Sequence, residues 1–383
     1  MRGVAEILSG KRVCICAGSG GVGKTTTSAA IATGMAARGK RVCVLTIDPA
    51  KRLADSLGLE QLGNEARRVE PALLERQGVE MEGELWAMML DAKATFDDLV
   101  ARHAPDEESR DRVLGNRIYQ QISNALAGSQ EYMAMEKLFE LHHSGRFDLL
   151  VLDTPPTRNA LDFLDAPRRL TQFIEGRSLR VFMKPSGIAA RVAGRGASMA
   201  LSVLRRIVGF DLLADLSEFF SAMSGMVDGF QERAKRVNEL LAAPSTSFLV
   251  VCGPQGEPIS EAVYFHRKLV EAKLPFGGVI VNKVHVGAAA GSPDGAGLRT
   301  ELARLLGDES LADRVAENFA DFQTLAARDA RNIDHLAAEL HTSEVIRVPY
   351  LDEDVHDLAG LQRVNSYLFA PEGARPRARA KTG

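Results

Sequence analysis

No C-x-x-C pair occurs in this chain, and its four cysteines, Cys14, Cys16, Cys43 and Cys252, are scattered. That pattern argues against a zinc clip or an iron–sulfur cradle. So few cysteines in 383 residues also exclude a disulfide-rich secreted scaffold. No apolar run reaches the roughly 18 residues that a spanning helix needs. Met1 to Lys11 carries charge but has neither the apolar stretch nor the cleavage site of a secretory signal. An excess of basic charge is missing too: Lys+Arg total 47 against Asp+Glu 50, a formal net charge of -3. A generic nucleic-acid partner is therefore not expected. Reduced thiols, no signal and no span together point to the cytoplasm.

What is present is an ordinary globular composition, 45% hydrophobic and 25% charged. The length allows two domains, or one α/β domain carrying insertions. Short β-branched runs read as buried strands: Arg12–Ala17, Arg41–Ile47, Leu85–Leu90, Leu149–Leu152, Phe248–Cys252, Val279–Val281 and Val345–Val348. Helical patterns such as Thr25–Ala37 and Pro258–Ala272 separate most of them. Strands that alternate with helices predict an α/β fold with a mostly parallel central sheet flanked by helices. Cys14, Cys16 and Cys43 fall inside strands and read as small buried apolar residues.

Two stretches break the alternation, at about 91–145 and 177–235. Both are strand-free and read as helical insertions, together a helical insertion subdomain. Residues 371–383 are rich in Pro, Gly, Arg and Ala and read as a disordered basic tail. No internal repeat appears, so 1–370 is expected to hold a single core.

Directly after the first strand stands Gly18-Ser19-Gly20-Gly21-Val22-Gly23-Lys24-Thr25, which fits G-x-x-x-x-G-K-S/T in full. Its glycines let backbone N–H groups converge on phosphate oxygens, and the helix that follows aims its positive end at the same anion. Gly20, Gly21, Val22, Gly23, Lys24, Thr25 and Thr26 are thus expected to bind ATP, with Lys24 at the β/γ-phosphates and the Thr25 hydroxyl on Mg²⁺. The second strand ends in Asp48-Pro49-Ala50. Asp48 lies on the ligand edge of such a sheet and would align the attacking water; the alternative is a helix N-cap before Pro49. A later strand ends Leu149-Leu150-Val151-Leu152-Asp153-Thr154-Pro155-Pro156-Thr157, and Asp153 would reach Mg²⁺ directly or through water.

Together these motifs resemble the ArsA-type ATPases, P-loop NTPases that include the arsenite-pump ATPase and the targeting factor for tail-anchored membrane proteins. The family's loop reads G-K-G-G-V-G-K-T-T, its first switch D-P-A and its second switch D-T-A-P-T, where this chain has GSGGVGKTT, Asp48-Pro49-Ala50 and Asp153–Thr157. The resemblance implies that Asn282, in Val281-Asn282-Lys283, binds adenine, and that Pro349, in Arg347-Val348-Pro349-Tyr350-Leu351, belongs to an adenine-packing loop. It implies nucleotide-dependent dimer states and a membrane-protein client or anion transporter as partner. It runs from about Lys11 to Phe369 and is loose in the helical insertions.

The departures narrow the reading. The family's signature lysine, which reaches across the dimer, is Ser19 here. Hydrolysis is then slow, or another cation substitutes, or a lysine-bearing paralogue pairs with this chain. Arg158 stands where relatives carry glycine and is the candidate substitute; the alternative is a surface arginine on the switch backbone. A non-hydrolysing ATP-binding regulatory subunit is the competing function. A ParA/MinD-like positioning ATPase would want the signature lysine, and an iron-protein-type reductase would want cluster cysteines. Two further departures argue against zinc and arsenite: the targeting factor's C-x-x-C zinc clip is absent, and the three cysteines of an arsenite site are not evident. The chain is half the length of a tandem pump ATPase, so a two-site machine requires pairing with a second copy or a paralogue.

Between Arg168 and Phe210 stand nine basic residues against one acid, Glu175. Downstream, Leu212, Leu216, Phe219, Phe220, Met223, Met226 and Phe230 share one helical face. That face is either packed on the core or a Met-lined groove for an apolar helix. The Gly-rich basic stretch before it is either a solvated loop or a segment that meets an acidic membrane surface, placing the protein peripherally at the membrane.

Overall fold

The computed structural model describes residues 3–48, 51–117, 119, 130–155, 219, 226–288 and 295–370. Eight strands form one sheet: β1 Val13–Ala17, β2 Arg41–Thr46, β3 Arg67–Arg68, β4 Glu84–Met89, β5 Leu149–Asp153, β6 Thr246–Cys252, β7 Phe276–Val284 and β8 Val345–Pro349. Their order is β3-β4-β2-β5-β1-β6-β7-β8. Every pairing is parallel except β3 on β4. This is the α/β architecture of a P-loop NTPase, as expected from the alternation of strands and helices.

Each expected strand forms, with ends shifted by a few residues. The largest change is in β7, expected over Val279–Val281 and observed over Phe276–Val284. Gly277 and Gly278 disguise its start and Asn282-Lys283 its end, because those residue types read as turns. The two-residue β3 was not expected; an exposed Arg-Arg pair at a sheet edge has no apolar pattern to show it.

Strand side chains alternate between two cores, one on each face of the sheet. Val13, Ile15, Cys43, Leu45, Leu150 and Leu152 join one core, and Cys14, Cys16, Val42, Val44, Leu149 and Val151 join the other. The longer helices are α1 Lys24–Ala36, α2 Ala92–His103, α3 Gln130–Ser144, α4 Val227–Ala242, α5 Gly256–Glu271, α6 Gly295–Leu306, α7 Glu309–Glu339 and α8 Leu358–Leu368. Helices α1 and α8 cover the second face; α2, α3, α4, α5 and the end of α7 cover the first. The described helices between Asp91 and Gly145 therefore line the main core rather than standing off it. Phe219, Met226 and Phe230 also lie buried in that core. These three side chains pack inward, with Met226 the N-cap of α4; Leu212, Leu216, Phe220 and Met223 of the same expected face lie outside the described residues. Residues 177–218 and 220–225, together with Arg158, Pro49, Ala50 and the 371–383 tail, lie outside the described residues.

All four cysteines are buried in strands, two facing each core. Burial pushes the Cys43 and Cys252 thiols up to about 12, so neither is a thiolate near neutrality. Among the described residues no His/Cys/Asp/Glu group could hold a metal by itself. None of the described helices is long and apolar enough to cross a membrane.

Candidate functional site

Parallel strands deliver their C-terminal ends to one edge of the sheet. There β1 runs into the glycine loop, β2 ends two residues before Asp48, β5 ends on Asp153, β7 carries Asn282 and β8 closes on Pro349. Strand β1 sits between β5 and β6, and the sheet is built out from it with β2 to β5 on one side and β6 to β8 on the other, which makes a crevice at this edge. A cavity of about 800 Å³ opens over it, lined by Gly20, Gly21, Gly23, Lys24, Thr25, Thr26, Asp48, Asn282 and Pro349. Residues spread over more than three hundred positions thus meet in one space. Val22 is buried in the second core rather than lining the cavity. Asp153 sits beneath Thr25, 1% exposed.

Gly23 is the N-cap of α1 and adopts φ 88°, a left-handed conformation that favours glycine. A Cβ on it would overlap Asn282 Nδ2. That nitrogen instead donates to the Val22 carbonyl at 2.9 Å. The loop and the end of β7 are therefore in direct register, with no room between them for a side chain.

Lys24 is buried, and its Nζ donates to the Ser19 carbonyl at 2.7 Å. Burial lowers its pKa, and the carboxylates of Asp153 and Asp48 oppose that shift. Ser19 thus anchors Lys24 through its backbone, while its own hydroxyl oxygen is buried with no hydrogen-bond partner.

Asp153 Oδ2 accepts from Thr25 Oγ1 at 2.7 Å and from Thr46 Oγ1 at 2.9 Å. The second bond follows from the ladder, in which Thr46 and Asp153 are paired residues of β2 and β5. Thr46 Oγ1 also accepts from the Asp48 amide at 3.2 Å, which ties the first switch to the second. Thr154 Oγ1 donates to the Cys16 carbonyl at 2.9 Å and fixes the start of the second switch on β1. Burial raises the Asp153 carboxyl to about 6 against the pull of both threonines and Lys24. Its Oδ1 is buried with no partner. A lone carboxylate oxygen beside a threonine hydroxyl offers the oxygen donors that suit Mg²⁺.

Several functional neighbours escaped the sequence reading. Thr46 is one; its place opposite Asp153 needs the strand pairing. Tyr350, quoted with the Pro349 loop, is 58% exposed at the cavity rim, and its neighbours His285 and Asp329 were not foreseen. The Tyr350 ring lies parallel to His285 with centroids 5.8 Å apart. His285 in turn is held by Asp329, fully buried, whose Oδ2 accepts from the His285 amide at 3.1 Å and lies 2.7 Å from Nδ1. Helix α7 therefore supports the loop after β8. Arg52 and Lys283 also line the cavity. A basic residue next to each motif was the only signal in the sequence.

A family model described as anion-transporting ATPase matches residues 11–323. The ATPase get3 of Aspergillus terreus is 23% identical over 355 residues, spanning 92% of this chain and 89% of that protein. The ATPase GET3 proteins of Ajellomyces dermatitidis and Blastomyces gilchristii are each 24% identical over 356 residues, with the same shares covered.

Proposed function

The chain belongs to the anion-transporting ATPase family, and from that premise we propose that it binds ATP with Mg²⁺ and hydrolyses it to ADP and phosphate. The observation that carries the reading is Asp153, bonded through Oδ2 to Thr25 and acting electrostatically on buried Lys24, with its Oδ1 buried and unpartnered. Gly20 to Thr26 wrap the phosphates with backbone N–H groups, and Lys24 leaves the Ser19 carbonyl for the β/γ-phosphates. Thr25 and Asp153 hold the magnesium ion, which when bound neutralises charge on the phosphate oxygens. Asp48 aligns the water for in-line attack. Asn282 and the Pro349 loop receive the adenine.

The chain is read as one ATPase domain over 1–370 with helical insertions at 91–145 and 177–235, followed by a basic tail. With one phosphate loop per chain, a two-site machine forms by pairing with a second copy or a paralogue. Nucleotide state moves the switches after Asp48 and Asp153, and the 177–235 insertion passes that change to a membrane-protein client or an anion transporter. Neither zinc nor nucleic acid enters this cycle. The protein works in the cytoplasm and meets the membrane peripherally.

Arg158 replaces the charge missing at Ser19, and Arg158→Ala then costs on the order of 10³ in turnover. Ser19 itself favours a second reading, a non-hydrolysing ATP-binding subunit paired with a lysine-bearing paralogue. ATP turnover by the pure chain, with Lys24→Ala as control, tests both. Mg²⁺-dependent turnover lost in Lys24→Ala supports the ATPase. Tight ATP binding without turnover supports the regulatory subunit, and no binding at all overturns both.

A further inference from the structure

The ladder between β7 and β8 breaks beside the phosphate loop. It runs through Val279, Ile280 and Val281, loses register, and resumes at Val284. Asn282 and Lys283 occupy the break. Irregular strand ends of this kind re-aim side chains and concentrate at functional sites.

Lys283 adopts φ 60°, and only Lys273 and His341 share a positive φ among the described non-glycine residues. Those two directly follow the capping residues Ala272 and Leu340 at helix ends, where a left-handed residue is ordinary. Lys283 has no helix to end. Its backbone is strained for a residue with a Cβ. The strain turns its side chain back over the loop, where Nζ donates to the Gly21 carbonyl at 3.2 Å. A long bond from an exposed ammonium to a carbonyl recovers little of that strain. The same ammonium lines the cavity with Lys24 and Thr25 and has three N–H donors to offer.

We propose that Lys283 is a phosphate-binding residue of the nucleotide site. When a nucleotide fills the cavity, Nζ exchanges the Gly21 carbonyl for a phosphate oxygen. It becomes the second cation on the polyphosphate beside Lys24, supplied by the same chain that binds the nucleotide. Asn282 stays on the Val22 carbonyl, so adjacent residues of one strand end hold the loop and the phosphate. The inference rests on the ATP-site reading above. It is distinct from the role given to Arg158, which concerns turnover rather than nucleotide affinity.

The test compares wild type, Lys283→Gln and Lys283→Arg by calorimetric titration with adenosine, ADP and ATP. Lys283→Gln is expected to weaken ADP and ATP binding about tenfold and to leave adenosine unchanged. It should also flatten the salt dependence of ATP binding. Lys283→Arg should restore most of the loss. Unchanged ADP and ATP affinity in Lys283→Gln overturns the proposal. So does an equal loss for adenosine, which would mean that Lys283 merely props Asn282. A wild-type chain that binds adenosine no worse than ATP overturns the ATP-site reading itself, a result separable from either Lys283 outcome.

Discussion

Thr25 Oγ1 donates a 2.7 Å hydrogen bond to Asp153 Oδ2 across 128 positions of sequence. The bond joins the end of the phosphate loop to the end of β5 and leaves Asp153 Oδ1 turned to a buried space without a partner.

The first prediction concerns that carboxyl. Burial raises its pKa to about 6, above the unfolded value of about 3.9. The folded, metal-free protein therefore holds this proton longer than the unfolded chain does. Its contribution to stability is present below about pH 4 and is lost as pH rises through about 6. Urea unfolding of Asp153→Asn should lack this slope, and at pH 7 without Mg²⁺ the variant should match or exceed wild type by up to roughly 3 kcal/mol. Mg²⁺ competes with the same proton, so Mg²⁺-dependent ATP binding should weaken about tenfold per unit below pH 6. A flat profile in wild type would remove Asp153 from the metal site.

Gly23 and Asn282 should behave as a coupled pair. Gly23→Ala places a Cβ on a left-handed residue, worth about 1–2 kcal/mol of strain, and drives it into Asn282 Nδ2. ATP affinity should fall at least tenfold. Gly23→Ala combined with Asn282→Ala should lose less than the sum of the single losses, because the overlap is gone while the strain remains. Strict additivity in the double-mutant cycle would show that the two residues act independently.

Asp329 should matter to the base loop from the far side of His285. It is fully buried and paired with His285 and Arg328. Asp329→Ala should cost on the order of 3 kcal/mol in unfolding. Adenosine and ATP should weaken by the same factor, since the Tyr350 loop loses its support while the phosphate groups are untouched. A larger loss for ATP than for adenosine would contradict this.

The helical face offers a control on burial. Arg233 donates to Glu136 Oε1 through Nε at 2.7 Å, and Glu136 is 2% exposed. Arg233→Ala strands a buried carboxylate and should cost about 3–5 kcal/mol. Arg112→Ala breaks an exposed pair with Glu108 one helical turn away and should cost under about 1 kcal/mol. Comparable losses in the two variants would mean that Glu136 is hydrated in solution.

The sequence by itself determined the strand–loop–helix at Gly18 to Thr25, because glycine spacing and a terminal Lys-Thr answer to local backbone geometry. It also determined the α/β alternation and the positions of Asp48 and Asp153 at strand ends, since apolar runs mark strands wherever they lie, while the family resemblance picks out Asn282 and Pro349. It could not order the strands, because pairing between β2 and β5 depends on contacts more than a hundred positions apart. Only that order makes Thr46 a partner of Asp153. Only the slip in the β7 ladder turns Lys283 over the loop. Only the packing of α7 against the end of β7 sets Asp329 behind His285 and, through it, Tyr350. Local pattern names the candidate phosphate-binding groups, and non-local packing selects the residues that hold them in place.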